Sequence, residues 1–200
     1  MITATTLHRA FIAILPDDKT RAFLRDSIRV FNKEARNFRF VNVDQLHITL
    51  EFLGDSVSSE SITAITQELS SHKGNFPKPS IGLTELRLGF PGQTMPNVLF
   101  WNLSGGQKLK DLTRYIHEEI VDLQLTDVKR HKDHAKLIHH ITIGRAKRSI
   151  SRAHARSVKE IIKGHSFGEL PVFTPEVFSI IASELTPKGP VYKTLEEITL

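Results

Sequence analysis

Cysteine is absent from all 200 residues. That excludes disulfides, a thiolate nucleophile and any thiolate-ligated metal. Long apolar runs are absent as well, none approaching the roughly 20 residues that a bilayer-crossing helix needs. Residues 1–9 lack the apolar stretch and small-residue cleavage site of a secretory leader, so a cytoplasmic protein with no membrane partner is expected. There is no low-complexity tract and no linker-like stretch between two independent halves, so residues 1–200 read as one domain.

Positive charge is in excess. The formal net charge is +5 and the pI is about 9.5, a balance that favours a phosphate-bearing partner. The excess gathers in one segment that holds Lys129, Arg130, Lys132, Lys136, Arg145, Lys147, Arg148, Arg152 and Arg156.

Short apolar runs alternate with amphipathic periods. Residues 11–15 predict a buried strand ending at Pro16, and Asp17 then caps a helix carrying Leu24, Ile28 and Phe31. Residues 46–53 predict a strand closed by a Gly54-Asp55 turn. Ser58 or Ser59 caps a helix with Ile62, Ile65 and Leu69 on its apolar face. Strands follow over 81–90 and 98–103, and the clearest helix has Leu109, Leu112, Ile116, Ile120 and Leu123 on one stripe. A strand over 138–143, a helix over 152–163 and two closing strands over 177–185 and 192–200 complete an α+β pattern.

One local pattern occurs twice. Leu46-His47-Ile48-Thr49-Leu50 and His139-His140-Ile141-Thr142-Ile143 each offer an imidazole and a hydroxyl to one strand face and aliphatics to the other. With 10 His and 16 Thr in the chain, His-x-Thr arises about 0.8 times by chance. Requiring aliphatics at the other positions lowers that to roughly 0.05, and two such hits to the order of one in a thousand. One copy alone reads as a hydrogen-bonded surface pair; two copies in corresponding places read as a site.

Two imidazoles across a groove suit the opening of a cyclic phosphate by water. In-line displacement sets the attacking and leaving oxygens on opposite sides of phosphorus, so one group serves as base and the other as acid. An unperturbed pKa near 6.5 lets neutral and protonated imidazole coexist near neutrality. Thr49 and Thr142 can donate hydrogen bonds to the non-bridging oxygens. This chemistry needs no metal or other cofactor.

The motifs resemble those of the two-histidine phosphoesterase superfamily, and within it the RNA 2′,3′-cyclic phosphodiesterases, also called 2′-5′ RNA ligases. The likeness spans nearly the whole chain: RAFIAI at 9–14, LHITLEFLG at 46–54, the strand over 96–103, HITIGR at 140–145, and a Ser-x-Leu segment followed by Gly and Tyr over 183–195. It implies a bilobal α+β domain with two antiparallel-rich sheets related by a pseudo-two-fold repeat. Helices would lie outside and the active site in the groove between lobes. It implies hydrolysis of a 2′,3′-cyclic phosphate RNA end to a 2′-phosphate, with weak reversible 2′-5′ ligation. His47 would be the proton donor, His140 the proton acceptor, and Thr49 and Thr142 the phosphate holders. The partner would be an RNA bearing that end, tRNA fragments among them, or a related nucleotide, and the enzyme a monomer. His139 stands where the family usually has Pro, and Gly144 where Ala or Leu is common.

Arg145 matches a basic position of the family, but strand parity sets it opposite His140 and Thr142 unless a bulge intervenes. Lys129, Arg130 and Lys136 are candidates for RNA backbone contacts. The spacing of His131, His134, His139 and His140 fits no standard zinc pattern, so no metal is expected. Phe90, Phe100 and Trp101 could stack on a base, but their apolar strands favour core packing. Two readings compete with the RNA enzyme: a phosphodiesterase for a small cyclic or 2′-5′-linked nucleotide, and a non-catalytic nucleotide- or RNA-binding module.

Overall fold

The structure is a computed structural model that describes residues 6–129, 137–187 and 189–200. The strands are β1 (Leu7–Ile14), β2 (Phe38–Phe40), β3 (Ile48–Ser58), β4 (Ile81–Leu88), β5 (Val98–Ser104), β6 (His140–Ala146), β7 (Val172–Phe173), β8 (Val177–Thr186) and β9 (Gly189–Thr199). The helices are α1 (Asp18–Arg29), α2 (Ser59–Ser71), α3 (Gly106–Asp122) and α4 (Arg152–Gly164). All paired strands run antiparallel. No helix among the described residues is long and apolar enough to cross a membrane.

Local chemistry explains where the helices begin. The Asp17 carboxylate accepts from the Thr20 amide, the Ser58 hydroxyl from Ser61 and the Ser151 hydroxyl from His154. Each cap satisfies an amide that the helix leaves without a partner, a gain of about 1 kcal/mol. The apolar stripes then bury against the sheet: Leu24, Ile65, Leu69, Leu112, Ile116 and Val158 are wholly enclosed. Burial of each such side chain contributes roughly 1.5–3 kcal/mol relative to exposure.

The sheet follows the order β7-β4-β5-β6-β3-β1-β8-β9, with β2 added at β6. The two expected sheets are therefore halves of one path. Among the described residues a single ladder pair, Ile48 opposite Ile141, joins them. Along β1 the side chains divide cleanly: Ala10, Ile12 and Ile14 enter the large core shared with all the helices. Phe11 and Ala13 instead face a smaller cluster with Ile181, Phe52 and Tyr192. One face is thus helix-covered and the other is left to form a groove.

Two features differ from the sequence expectation, while Trp101 follows it. Gly54-Asp55 is no turn: β3 runs on to Ser58. Phe11 opposes Phe52 while Ala10 opposes Gly54, which leaves Leu53 as an extra residue. Gly54, at φ +150°, sits in this bulge, a place where glycine relieves backbone strain. β2 and β7 are too short to carry a period. Trp101 is core, its ring edge-on to Phe23 and Phe167 and its indole N–H donating to the Ser27 hydroxyl at 3.2 Å.

Gly89 ends β4 with φ +80°, and a Cβ there would lie 2.4 Å from the Cβ of Pro96. Gly89→Ala is expected to cost about 1–3 kcal/mol of stability in urea unfolding, through overpacking and left-handed strain. An unchanged midpoint would contradict this close approach.

Candidate active site

Strand register decides which side chains share the groove. Along β6, Asn102 faces His140, Trp101 faces Ile141 and Phe100 faces Thr142; then Leu99 faces Gly144 and Val98 faces Arg145. β5 advances one residue where β6 advances two, so Ile143 is a bulge. The bulge reverses parity and brings Arg145 onto the face of His140 and Thr142. The condition under which Arg145 could reach the groove is met.

β3 repeats the device against β1. Ala13 faces Thr49, Ile12 faces Glu51 and Phe11 faces Phe52, which leaves Leu50 as the extra residue. Phe52 therefore takes in the first half the position that Arg145 takes in the second. Cations still stand nearby: the Arg9 guanidinium lies 5.0 Å from the Phe52 ring centroid and the Lys129 ammonium 5.4 Å. Both also pair with Asp55, at 2.7 and 2.6 Å.

His47, Thr49, His140 and Thr142 line one cavity of about 950 Å³ together with Arg9, Arg39, Arg145 and Lys147. No carboxylate is among its described lining residues. Sequence reasoning missed Arg9 and Arg39. Arg9 was legible by alternation with Phe11 and Ala13, whereas Arg39 lies on β2, a strand without a signal. Lys129 is not in the lining. Arg130 and Lys136 lie outside the described residues, as do His131 and His134.

Each imidazole is held in the same way. His47 Nδ1 lies 2.7 Å from the carbonyl oxygen of Gln45, and His140 Nδ1 lies 2.7 Å from that of Ile138. A carbonyl only accepts, so Nδ1 carries the proton in both rings and Nε2 is left for the groove. Each ring also has an aromatic collar. Phe11 and Tyr192 flank His47 at 4.8 and 5.3 Å, and Phe90 and Phe100 flank His140 at 5.0 and 5.2 Å. Phe100 is fully buried and Phe90 stacks on it at 4.5 Å, so these rings back His140 from behind the groove lining.

Burial and charge set the resting protonation. Desolvation pushes the His47 pKa below its ordinary value; the Gln45 carbonyl opposes this, and His140 and Arg145 add to it. Desolvation likewise lowers His140; the Ile138 carbonyl opposes it, and Arg145 contributes. The Tyr192 hydroxyl is pushed up by burial. Both imidazoles are neutral at pH 7 in the free protein, inside a groove that attracts anions.

His139 points elsewhere. Its Nε2 lies 2.8 Å from the Thr113 hydroxyl on α3. Among the described residues, one group has metal-binding geometry: Glu68, His72 and Glu119, with ligand atoms within 4.8 Å of one another. It bridges α2 and α3 and is no part of the groove.

The arrangement defines a class: a two-histidine phosphoesterase fold in which paired His-x-Thr strands meet at a seam. Comparison with known proteins narrows it. No protein-family model matches the chain. The RNA 2′,3′-cyclic phosphodiesterase of Archaeoglobus fulgidus is 30% identical over 190 residues, covering 94% of this chain and 97% of that protein. The crystal structure of TT0787 of Thermus thermophilus superposes with a TM-score of 0.74 at 25% identity, over 96% of this chain and 97% of that one. Escherichia coli LigT complexed with 3′-AMP gives a TM-score of 0.69 at 19% identity, over 97% and 98% of the two chains. The chain belongs to the RNA 2′,3′-cyclic phosphodiesterase family.

NMR titration of the free protein should find His47 and His140 both losing their protons below the ordinary pKa of about 6.5, each as the Nδ1–H tautomer when neutral. The unfolded chain takes up these protons more readily, so they contribute stability fully present above pH 6.5. It is lost as pH falls from there through the lowered folded-state values. A His47 titration at or above 6.5 in the anion-free protein would contradict the desolvated site.

Proposed function

We propose that this chain hydrolyses the 2′,3′-cyclic phosphate end of an RNA to a 2′-phosphate, with acid–base catalysis by His47 and His140. The observation that carries the reading is the matched pair of carbonyl-held imidazoles on two strands that meet at Ile48 and Ile141. A peptide carbonyl keeps the Nδ1 proton in either charge state, so only Nε2 exchanges a proton during turnover.

The step balances without an added group. The Nε2 lone pair of His140 takes a proton from water as its oxygen attacks phosphorus. The bond from phosphorus to the 3′ oxygen breaks, and that oxygen takes the Nε2 proton of His47. The product carries a 2′-phosphate and a 3′-hydroxyl, and solvent exchange resets the two rings. A 5′-hydroxyl in place of water gives weak, reversible 2′-5′ ligation.

His47 is neutral before substrate arrives, so the phosphodiester anion itself favours its protonation. Thr49 and Thr142 hold the non-bridging oxygens, and Arg145 neutralises charge that develops on them. The bound RNA end, such as that of a tRNA fragment, is taken up by a monomer.

Turnover of an RNA ending in 2′,3′-cyclic phosphate tests the reading. His47→Ala and His140→Ala should each lower kcat by about 10²–10⁴, the usual worth of a general acid or base. Arg145→Gln should lower kcat/KM by about 10². The wild-type rate should rise and fall between about pH 5 and 8 and persist in EDTA. Wild-type rates in both histidine variants sink the mechanism, and abolition by EDTA sinks its metal-free form. Equal turnover of nucleoside 2′,3′-cyclic phosphates and RNA ends would move the substrate to small nucleotides.

A further inference from the structure

A larger cavity, of about 1160 Å³, lies outside the catalytic groove, between the β4–β5 loop and α4. Its α4 wall carries Arg152, Arg156, Lys159 and Lys163. These positions are spaced i, i+4, i+7 and i+11, so they form one stripe about 16 Å long on a helix rising 1.5 Å per residue. All four side chains are exposed, while the flanking Ala155 and Val158 anchor the helix in the core. Arg152, Arg156 and Lys159 have no carboxylate partner among the described residues. Lys163 has a weak exposed pair with Glu160 at 3.3 Å. The cavity's one lining acid, Glu85, is paired with Arg87 at 2.7 Å.

Shared lining residues place this cleft and the catalytic groove on either side of a third cavity. A small cavity of about 430 Å³ shares Lys147 with the groove and Ile150 and Ser151 with the cleft, and adds Arg36 and Arg148. At the other side Phe90 lines the cleft while its ring edge meets His140 at 5.0 Å. Cations thus line all three cavities: Arg39, Arg145 and Lys147 in the groove, Arg36 and Arg148 in the small cavity, and the α4 stripe in the cleft.

We infer that this path binds the single-stranded RNA chain behind the reacting end, with backbone phosphates on Arg152, Arg156 and Lys159. The inference rests on the RNA-end reading above and extends it from the terminal nucleotide to the chain that carries it. An unpaired basic track suits a polymer of regularly spaced phosphates, recognised without regard to sequence. Turnover of the terminal nucleotide alone would not use it.

The test is the triple variant Arg152→Gln/Arg156→Gln/Lys159→Gln, measured two ways. Fluorescence anisotropy with a labelled single-stranded RNA of about 15 nucleotides, a length suited to one extended track, reads binding whatever the protein catalyses. The variant should bind at least ten-fold more weakly in low salt. The slope of log K against log[salt] should shrink by about 2, as expected for three lost single-strand phosphate contacts. Turnover of a nucleoside 2′,3′-cyclic phosphate should stay at the wild-type rate, while KM for the long RNA rises. Equal RNA affinity of variant and wild type overturns the track. So does polyglutamate binding wild type as tightly as RNA and losing affinity equally in the variant, because the surface is then merely cationic. If wild type turns over no cyclic phosphate, the function proposed above fails, and the binding measurement still decides the track.

Discussion

One backbone pairing holds the site together. Among the described residues, Ile48 and Ile141 are the sole ladder pair between the two halves of the sheet. Continued by one residue each way, this antiparallel register sets His47 beside Thr142 and Thr49 beside His140. That register brings both imidazoles and both hydroxyls to the lining of one cavity. Both isoleucines are completely buried in the helix-covered core. A slip of either strand by one residue would carry its imidazole and hydroxyl into that core and its aliphatics into the groove, so hydrophobic packing on one face guards the geometry of the other.

Much of this was legible in the sequence, for a physical reason. A strand buried on one face writes its orientation in period two, and His47, Thr49, His140 and Thr142 announce their common side against Ile48 and Ile141. The bulges at Leu50 and Ile143 left no such mark, because an extra aliphatic residue looks like its neighbours. That is why parity alone turned Arg145 away from the groove and Phe52 drew no notice. Gly54-Asp55 misled in the opposite sense, since glycine serves a bulge as readily as a turn. Phe11 and Tyr192 come from opposite ends of the chain, and their contact with His47 depends on strand order, which no local pattern encodes.

The electrostatics follow from which partners the imidazoles do not have. A carboxylate on Nδ1 would raise basicity and add negative charge; a peptide carbonyl orients the ring and adds none. With aromatic rings beside both imidazoles and four cations in the lining, the groove favours neutral rings and an anionic guest. Charge arrives with the ligand. The same surplus of positive charge recurs on the exposed face of α4, where Arg152, Arg156, Lys159 and Lys163 line a neighbouring cavity.

The bulges have a further consequence. A strictly two-fold frame would receive a phosphodiester equally well in either direction, and the two imidazoles would be interchangeable. Phe52 and Arg145 occupy equivalent places yet offer a ring to one end and a guanidinium to the other. That one mismatch gives the groove a polarity. The two His-x-Thr strands thus present different groups to the groove, a guanidinium from one and a phenyl ring from the other.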